Sequence, residues 1–313
     1  MNPAFSVIFL TTLTGASQGL FLALYGAELA ARAGAIAMPD HRAFFAIGSA
    51  FVVALAGLGL LASFFHLGRP ERAWRSAAKW RTSWLSREVI ALPAFMAFAA
   101  AYGYLHALMA QGTLLVGAVG TVLCIALYIC TGMIYACIRF LQEWSTPLTV
   151  VNYFVIGCAS GFTLAAAFSA VAASDLAPAY TGAAALLTFI ALLTRATALM
   201  RNARLRPKSS LQTAIGVRHP RIVQKSQGFM GGSFNTREFF HGKSRFFLRQ
   251  VKWAFLAFAF VIPLALLLTS GVSASVMMLT AAFAIQYLGL LAERWYFFAD
   301  ANHPQNLYYQ AIA

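Results

Sequence analysis

The groups able to do chemistry in this chain gather in one short stretch. It runs His66-Leu67-Gly68-Arg69-Pro70-Glu71-Arg72-Ala73-Trp74 and continues as Trp80-Arg81-Thr82-Ser83-Trp84-Leu85-Ser86-Arg87-Glu88. An imidazole titrates near neutral pH and can accept or deliver a proton. Guanidiniums can orient a carbonyl oxygen or hold one that has become anionic. Gly68 and Pro70 break the helix that His66 ends. Ser86 is placed to cap the next helix, which would set Arg87 and Glu88 in its first turn, where the dipole favours a carboxylate. Trp74, Trp80 and Trp84 mark the level of the lipid headgroups. A quinone head group lives at the same depth, so the loop could exchange protons with one. The same residues also suit a basic loop with a tryptophan belt, and spacing alone leaves both readings open.

The elements that must position these residues are membrane helices. The chain has 313 residues, of which 60% are hydrophobic and only 10% charged, with a mean hydropathy of +0.71. Soluble domains carry about 25% charged residues, so most of this surface faces lipid. Backbone groups cannot go unpaired there, and long apolar runs must be helical. The runs predict eight spans: Pro3–Ala31, Ala43–Phe65, Val89–Ala110, Thr113–Ile138, Leu148–Ala173, Pro178–Met200, Val251–Thr269 and Ser273–Phe298. The expected fold is an all-α integral membrane bundle forming a single membrane domain. No Lys or Arg precedes the first run, which is too long for a signal-peptide core, so it reads as a retained helix. Gly15 and Gly19 form a GxxxG in that helix, and Gly57 and Gly59 lie in the second, as close helix packing requires.

With eight spans, the N-terminal side (side A) also receives the connections 66–88 and 201–250, the short Arg139–Pro147 link and the C-terminus. All 23 Lys and Arg fall on side A or at its helix ends, except Arg32 and Arg42. Positive residues are retained in the cytoplasm. The expected location is therefore a bacterial inner membrane with both termini and both long connections cytoplasmic. The net charge of +14 lies between apolar spans and points to lipid or a protein partner, not to nucleic acid.

Other chemistries fit less well. Cys124, Cys130, Cys137 and Cys158 form no CxxC pair, which argues against a zinc or cluster site in this chain. His41 and His106 both fall at the side B ends of their spans, so a facing pair for a haem is conceivable, although both also suit the interface. A transporter would show charged relays near the midplane and matching broken helices. Here Glu28, Arg195 and Glu293 sit near span ends, and Pro93 and Pro263 are ordinary for membrane helices.

The His66–Trp74 and Trp80–Glu88 stretches resemble the signature of the dimethyl sulfoxide reductase membrane-anchor family, a group that includes the sulfite dehydrogenase anchor subunit. The stretch from Ser226 to Gly242, Ser-Gln-Gly-Phe-Met-Gly-Gly-Ser-Phe-Asn-Thr-Arg-Glu-Phe-Phe-His-Gly, resembles that family's other long-loop motif. The resemblance implies a haem-free, metal-free subunit of eight helices. It would exchange electrons between a quinone (ubiquinone or menaquinone) and an iron–sulfur partner that serves a molybdopterin catalytic subunit. By motif position, His66, Gly68, Arg72 and Glu88 correspond to quinol-binding positions, and Arg69 joins them on chemical grounds. In the second loop, Asn235 can cap a short helix with Glu238 closing a capping box. Phe234, Phe239, Phe240, Phe246 and Phe247 make an apolar patch on a basic loop, which a soluble partner would cover. Phe234, Asn235, Arg237, Phe239 and Phe240 are the expected docking residues. Since both loops lie on side A, an inward-facing sulfite-oxidising complex is favoured over a dimethyl sulfoxide reductase with outward-facing partners.

Overall fold

A computed structural model of the chain describes residues 1–226, 238–270 and 275–308, apart from the side chains of His66 and Tyr308. Among these residues, eight helices are long and apolar enough to span a membrane. They are α1 Phe5–Arg32, α2 His41–Ser63, α3 Trp84–Ala107, α4 Thr113–Ala136, α5 Pro147–Ala172, α6 Ser174–Ala203, α7 Arg245–Ser270 and α8 Val276–Ala299. The all-helical bundle expected from the apolar runs is therefore present. Two helices begin five or more residues earlier than hydropathy suggests, at Trp84 in place of Val89 and at Arg245 in place of Val251.

The start of α3 corrects the reading of its cap. Ser83, not Ser86, is the capping residue, and its hydroxyl accepts a hydrogen bond from the Ser86 N–H at 3.3 Å. Trp84 and Leu85 are as compatible with the headgroup layer as with a helix, so composition cannot place this boundary. Glu88 consequently lies in the second turn, roughly 6 Å below Trp84 at 1.5 Å per residue. The helix dipole fades beyond the first turn, so it does not stabilise this carboxylate. Phe246 and Phe247 also belong to a helix, the first turn of α7, where they are 70% and 43% exposed.

Helix α1 runs through the middle of the bundle, packed against α2, α4, α5 and α8. Its closest approach is to α5. A Cβ on Gly19 would stand 2.6 Å from the Gly157 carbonyl oxygen, and one on Gly161 would stand 2.3 Å from Gly19 Cα. The GxxxG of α1 thus meets a second one, Gly157 and Gly161, on its partner. In the second span Gly59 packs on Leu10 and Thr14 of α1, whereas a Cβ on Gly57 would meet the Met96 methyl of α3 in ordinary contact at 3.7 Å. Lipid supplies no hydrophobic drive between helices, so such close packing and interhelical hydrogen bonds hold the bundle. The latter include Gln18 Nε2 to the Cys124 carbonyl, Ser17 Oγ to that of Val52 and the Tyr128 hydroxyl to that of Gly15, each at 2.8 Å. Each contributes about 0.6 kcal/mol on average.

On side A, the connection between α2 and α3 forms a 3₁₀ helix, Pro70–Lys79, with no buried residue. Arg87 ties its end to α3. The Arg87 guanidinium donates to the carbonyls of Trp80 and Arg81 at 2.9 and 2.8 Å and lies over the Trp84 ring.

Candidate functional site

The expected site residues separate into an exposed and an inward set. Gly68, Arg69 and Arg72 lie exposed in the 3₁₀ connection, and Arg72 Nε stands 3.8 Å from its neighbour Glu71. The backbone of His66 ends the short turn Phe64–His66, and its side chain is outside the described set. Glu88 instead points into the bundle, where it accepts a hydrogen bond from Thr131 Oγ1 of α4 at 2.5 Å. Its lining position opens onto a cavity of about 30 Å³ bordered by Gln18, Tyr128, Tyr153 and Arg294. These residues come from α1, α4, α5 and α8, so with Glu88 of α3 the cavity exists only where five helices meet.

The cavity wall is mainly apolar but carries several polar side chains, among them Thr14, Gln18 and Thr131. Thr14 Oγ1 is buried there without a hydrogen bond to another described residue, and the Tyr153 hydroxyl and Arg294 guanidinium, also on the wall, are side-chain partners of each other. A volume of about 15 Å³ already accommodates one water molecule when polar partners line it. Water therefore fits this space, and a quinone head group does not.

Behind the cavity stands a buried ionic triad. Glu293 Oε1 is 2.7 Å from Arg195 Nε, and its other oxygen is 2.5 Å from Arg294 Nε. The Arg294 guanidinium also lies over the rings of Tyr153 and Phe297, at 4.3 and 5.0 Å from their centroids. All three charged side chains are at least 95% buried. Arg195 and Glu293, expected near span ends, are thus brought together with Arg294 in one buried cluster. Arg294 does not stand out in the sequence because an arginine one turn from the side A end reads as an orientation signal. The adjacent Glu293-Arg294 dyad, with Arg195 in a facing helix, was the available clue. A lone charge is costly at membrane depth, and such groups usually find partners there.

A second polar cluster lies at the side B end. Glu28 accepts a hydrogen bond from Thr113 Oγ1, and its second oxygen is 3.5 Å from His106 Nε2. The Nδ1 atoms of His106 and His41 are 2.9 Å apart and share a hydrogen bond. A metal–imidazole bond is about 2 Å, so two axial nitrogens on one iron stand about 4 Å apart. These two rings are too close for that, and Phe45 stacks on His106 at 4.2 Å. The pairing foreseen for a haem is therefore a direct imidazole contact. Among the described residues, no three His, Cys, Asp or Glu side chains converge as a metal site would need.

Of the expected docking residues, Phe234, Asn235 and Arg237 lie outside the described set. Phe239 is half-buried and stacks on His303 with ring centroids 3.8 Å apart, while its carbonyl accepts from Asn306 Nδ2 at 3.1 Å. Phe240 is likewise half-buried. The exposed aromatic surface of this region belongs instead to Phe246 and Phe247.

Residues 1–298 match the family described as "DMSO reductase anchor subunit (DmsC)". The chain belongs to this family. It is also 54% identical over 327 aligned positions to a sulfite dehydrogenase subunit of Allochromatium vinosum, with all of both chains covered. The protein is accordingly a multi-pass membrane anchor subunit, and the cavity between α1, α3, α4, α5 and α8 is a feature of an anchor.

Proposed function

We propose that this anchor passes electrons from sulfite oxidation into the quinone pool, with the quinone head group held at the side A rim of the cavity against Glu88. The reading is carried by the position of Glu88. Its carboxylate is half-buried, bonded to Thr131 and one turn below the basic side A connection, at headgroup depth. Reduction of a quinone takes two electrons and two protons. The electrons would come from an iron–sulfur subunit docked on side A, fed by a molybdopterin subunit that oxidises sulfite to sulfate. Glu88 supplies protons to the head group, His66 stands at the same interface, and Arg69 and Arg72 hold the loop surface positive for the approaching anionic oxygen. The relative from Allochromatium vinosum supports the choice of sulfite. The basic surplus on side A supports a cytoplasmic side A in a bacterial inner membrane.

The test is Glu88→Gln in the intact complex. Sulfite-dependent reduction of a soluble ubiquinone analogue should fall at least about tenfold, the scale of a lost acid–base group. Dye-linked sulfite oxidation, which bypasses this chain, should persist. Equal quinone turnover in the variant removes Glu88 from the site. Digestion of the catalytic subunit in spheroplasts with an intact inner membrane would reverse the assignment of side A and favour a dimethyl sulfoxide reductase with outward-facing partners.

A further inference from the structure

Resting on that quinone reading, we infer that a polar conduit carries protons from the side A surface to Glu88 through the interior of the bundle. The cavity at Glu88 adjoins further spaces on its side A flank. Tyr153 and Arg294 border it and also border a second space of about 10 Å³, which is lined further by Asn152 and Arg195. Glu143 and Asn202 close that second space and also line a surface groove of about 570 Å³ on side A. The three spaces therefore share walls in sequence, from Glu88 to bulk solvent.

Buried polar atoms mark the whole route. Asn152 Oδ1 and Arg195 Nη2 lack hydrogen bonds to other described residues, as does Thr14 Oγ1 nearer Glu88. Unsatisfied groups of this kind are costly in a membrane protein and are commonly satisfied by internal water. The inner space has room for water, and the second is the size of a single molecule. Charge along the route is nearly balanced, with Glu88, Glu293 and Glu143 against Arg195 and Arg294. An excess proton would meet no wall of uncompensated positive charge.

The route has a direct consequence for energy coupling. Sulfite plus water gives sulfate, two protons and two electrons on side A. The quinone gains those two electrons and takes two protons, drawn through the conduit from the same side. No net charge crosses the membrane. By contrast, the side B cluster at Glu28 is separated from Gln18 by the packed rings of Phe21, Phe95 and Tyr102, which stack edge to face at 5.4 and 5.6 Å. That layer closes the opposite route.

The experiment narrows the conduit and leaves the quinone rim intact. Asn152→Leu fills the second space in the purified complex. Sulfite-dependent reduction of a soluble ubiquinone analogue should slow about tenfold with an unchanged KM for the quinone. The ratio of rates in H₂O and D₂O should rise, and dye-linked sulfite oxidation should hold. A wild-type rate and an unchanged isotope ratio would overturn the conduit. If Glu88→Gln abolishes quinone turnover while Asn152→Leu leaves both measures unchanged, the conduit alone fails; if Glu88→Gln has no effect, the underlying quinone reading fails. Should Asn152→Leu not assemble, Glu143→Leu at the exposed mouth is read by the same two measurements, with the same outcomes deciding.

Discussion

Two inward-facing carboxylates, half-buried Glu88 and fully buried Glu28, sit at opposite ends of the bundle and share the same elementary chemistry. Each accepts a hydrogen bond from a threonine of α4, Thr131 for Glu88 and Thr113 for Glu28. Their surroundings diverge. Glu88 faces a cavity with an unsatisfied polar atom, Thr14 Oγ1, on its wall, whereas Glu28 is enclosed by His106, Thr113 and the side chain of Arg32 at 3.7 Å. His106 is in turn held between His41 and Phe45. A carboxylate beside open space can exchange protons with something that comes and goes. One locked among fixed partners chiefly joins helices, here α1, α3 and α4, and through His41 the start of α2. Burial alone does not separate a working group from a structural one; the space beside it does.

The largest effect should come from the triad behind the cavity. Glu293→Ala leaves Arg195 and Arg294 buried without their shared counter-ion, and breaking a buried pair costs about 3–5 kcal/mol. The complex should lose thermal stability sharply in detergent, with quinone turnover falling together with the amount of assembled complex. If the variant assembles normally and loses only quinone turnover, the triad belongs to the working region and not to its support. Next in size, Glu28→Gln keeps the shape of the side B cluster and removes its charge. Loss of a buried charge-assisted hydrogen bond costs about 1–3 kcal/mol. The melting temperature should drop while the KM and turnover for quinone stay put. A quinone defect in Glu28→Gln, with stability unchanged, would collapse the distinction between the two ends.

The bundle was legible because lipid leaves no alternative to helices for long apolar runs. Its fine structure was less so. Ser83 and Ser86 are equally good caps by residue type, and only the packed helix decides between them. The GxxxG of α1 was plain, yet its partner at Gly157 and Gly161 could be paired with it only once α5 was known to cross there. Glu88 was found through a motif, whereas Thr131, Tyr153 and Gln18 are ordinary membrane-helix residues that gain meaning from sharing a cavity. The two histidines of side B were correctly placed on one side, but type and depth could not distinguish a metal pair from a hydrogen-bonded one. That difference rests on a nitrogen–nitrogen distance.

The smallest effect concerns the rim of the side A route, a feature for which the sealed side B cluster has no counterpart. His303 lines the surface groove and stacks on Phe239, fastening the connection after α6 to the segment after α8. Burial, aided by the nearby N-terminal ammonium, holds the His303 pKa below its ordinary value of 6.5. The folded state therefore prefers the neutral ring. The stack is at full strength above the unfolded pKa and weakens as pH falls through 6.5 toward the lower folded value. His241 in the same connection is shifted downward too, by burial, the same ammonium and Lys243, so both histidines act in one direction. Limited proteolysis of the 201–250 connection should accelerate modestly between pH 7.5 and 5.5, and His303→Phe, which keeps the stack without a titrating group, should weaken that pH dependence and leave the share carried by His241. Glu28→Gln should leave it untouched. An unchanged pH dependence in His303→Phe would show that the groove rim is fastened by other contacts, such as the Asn306 bond to the Phe239 carbonyl.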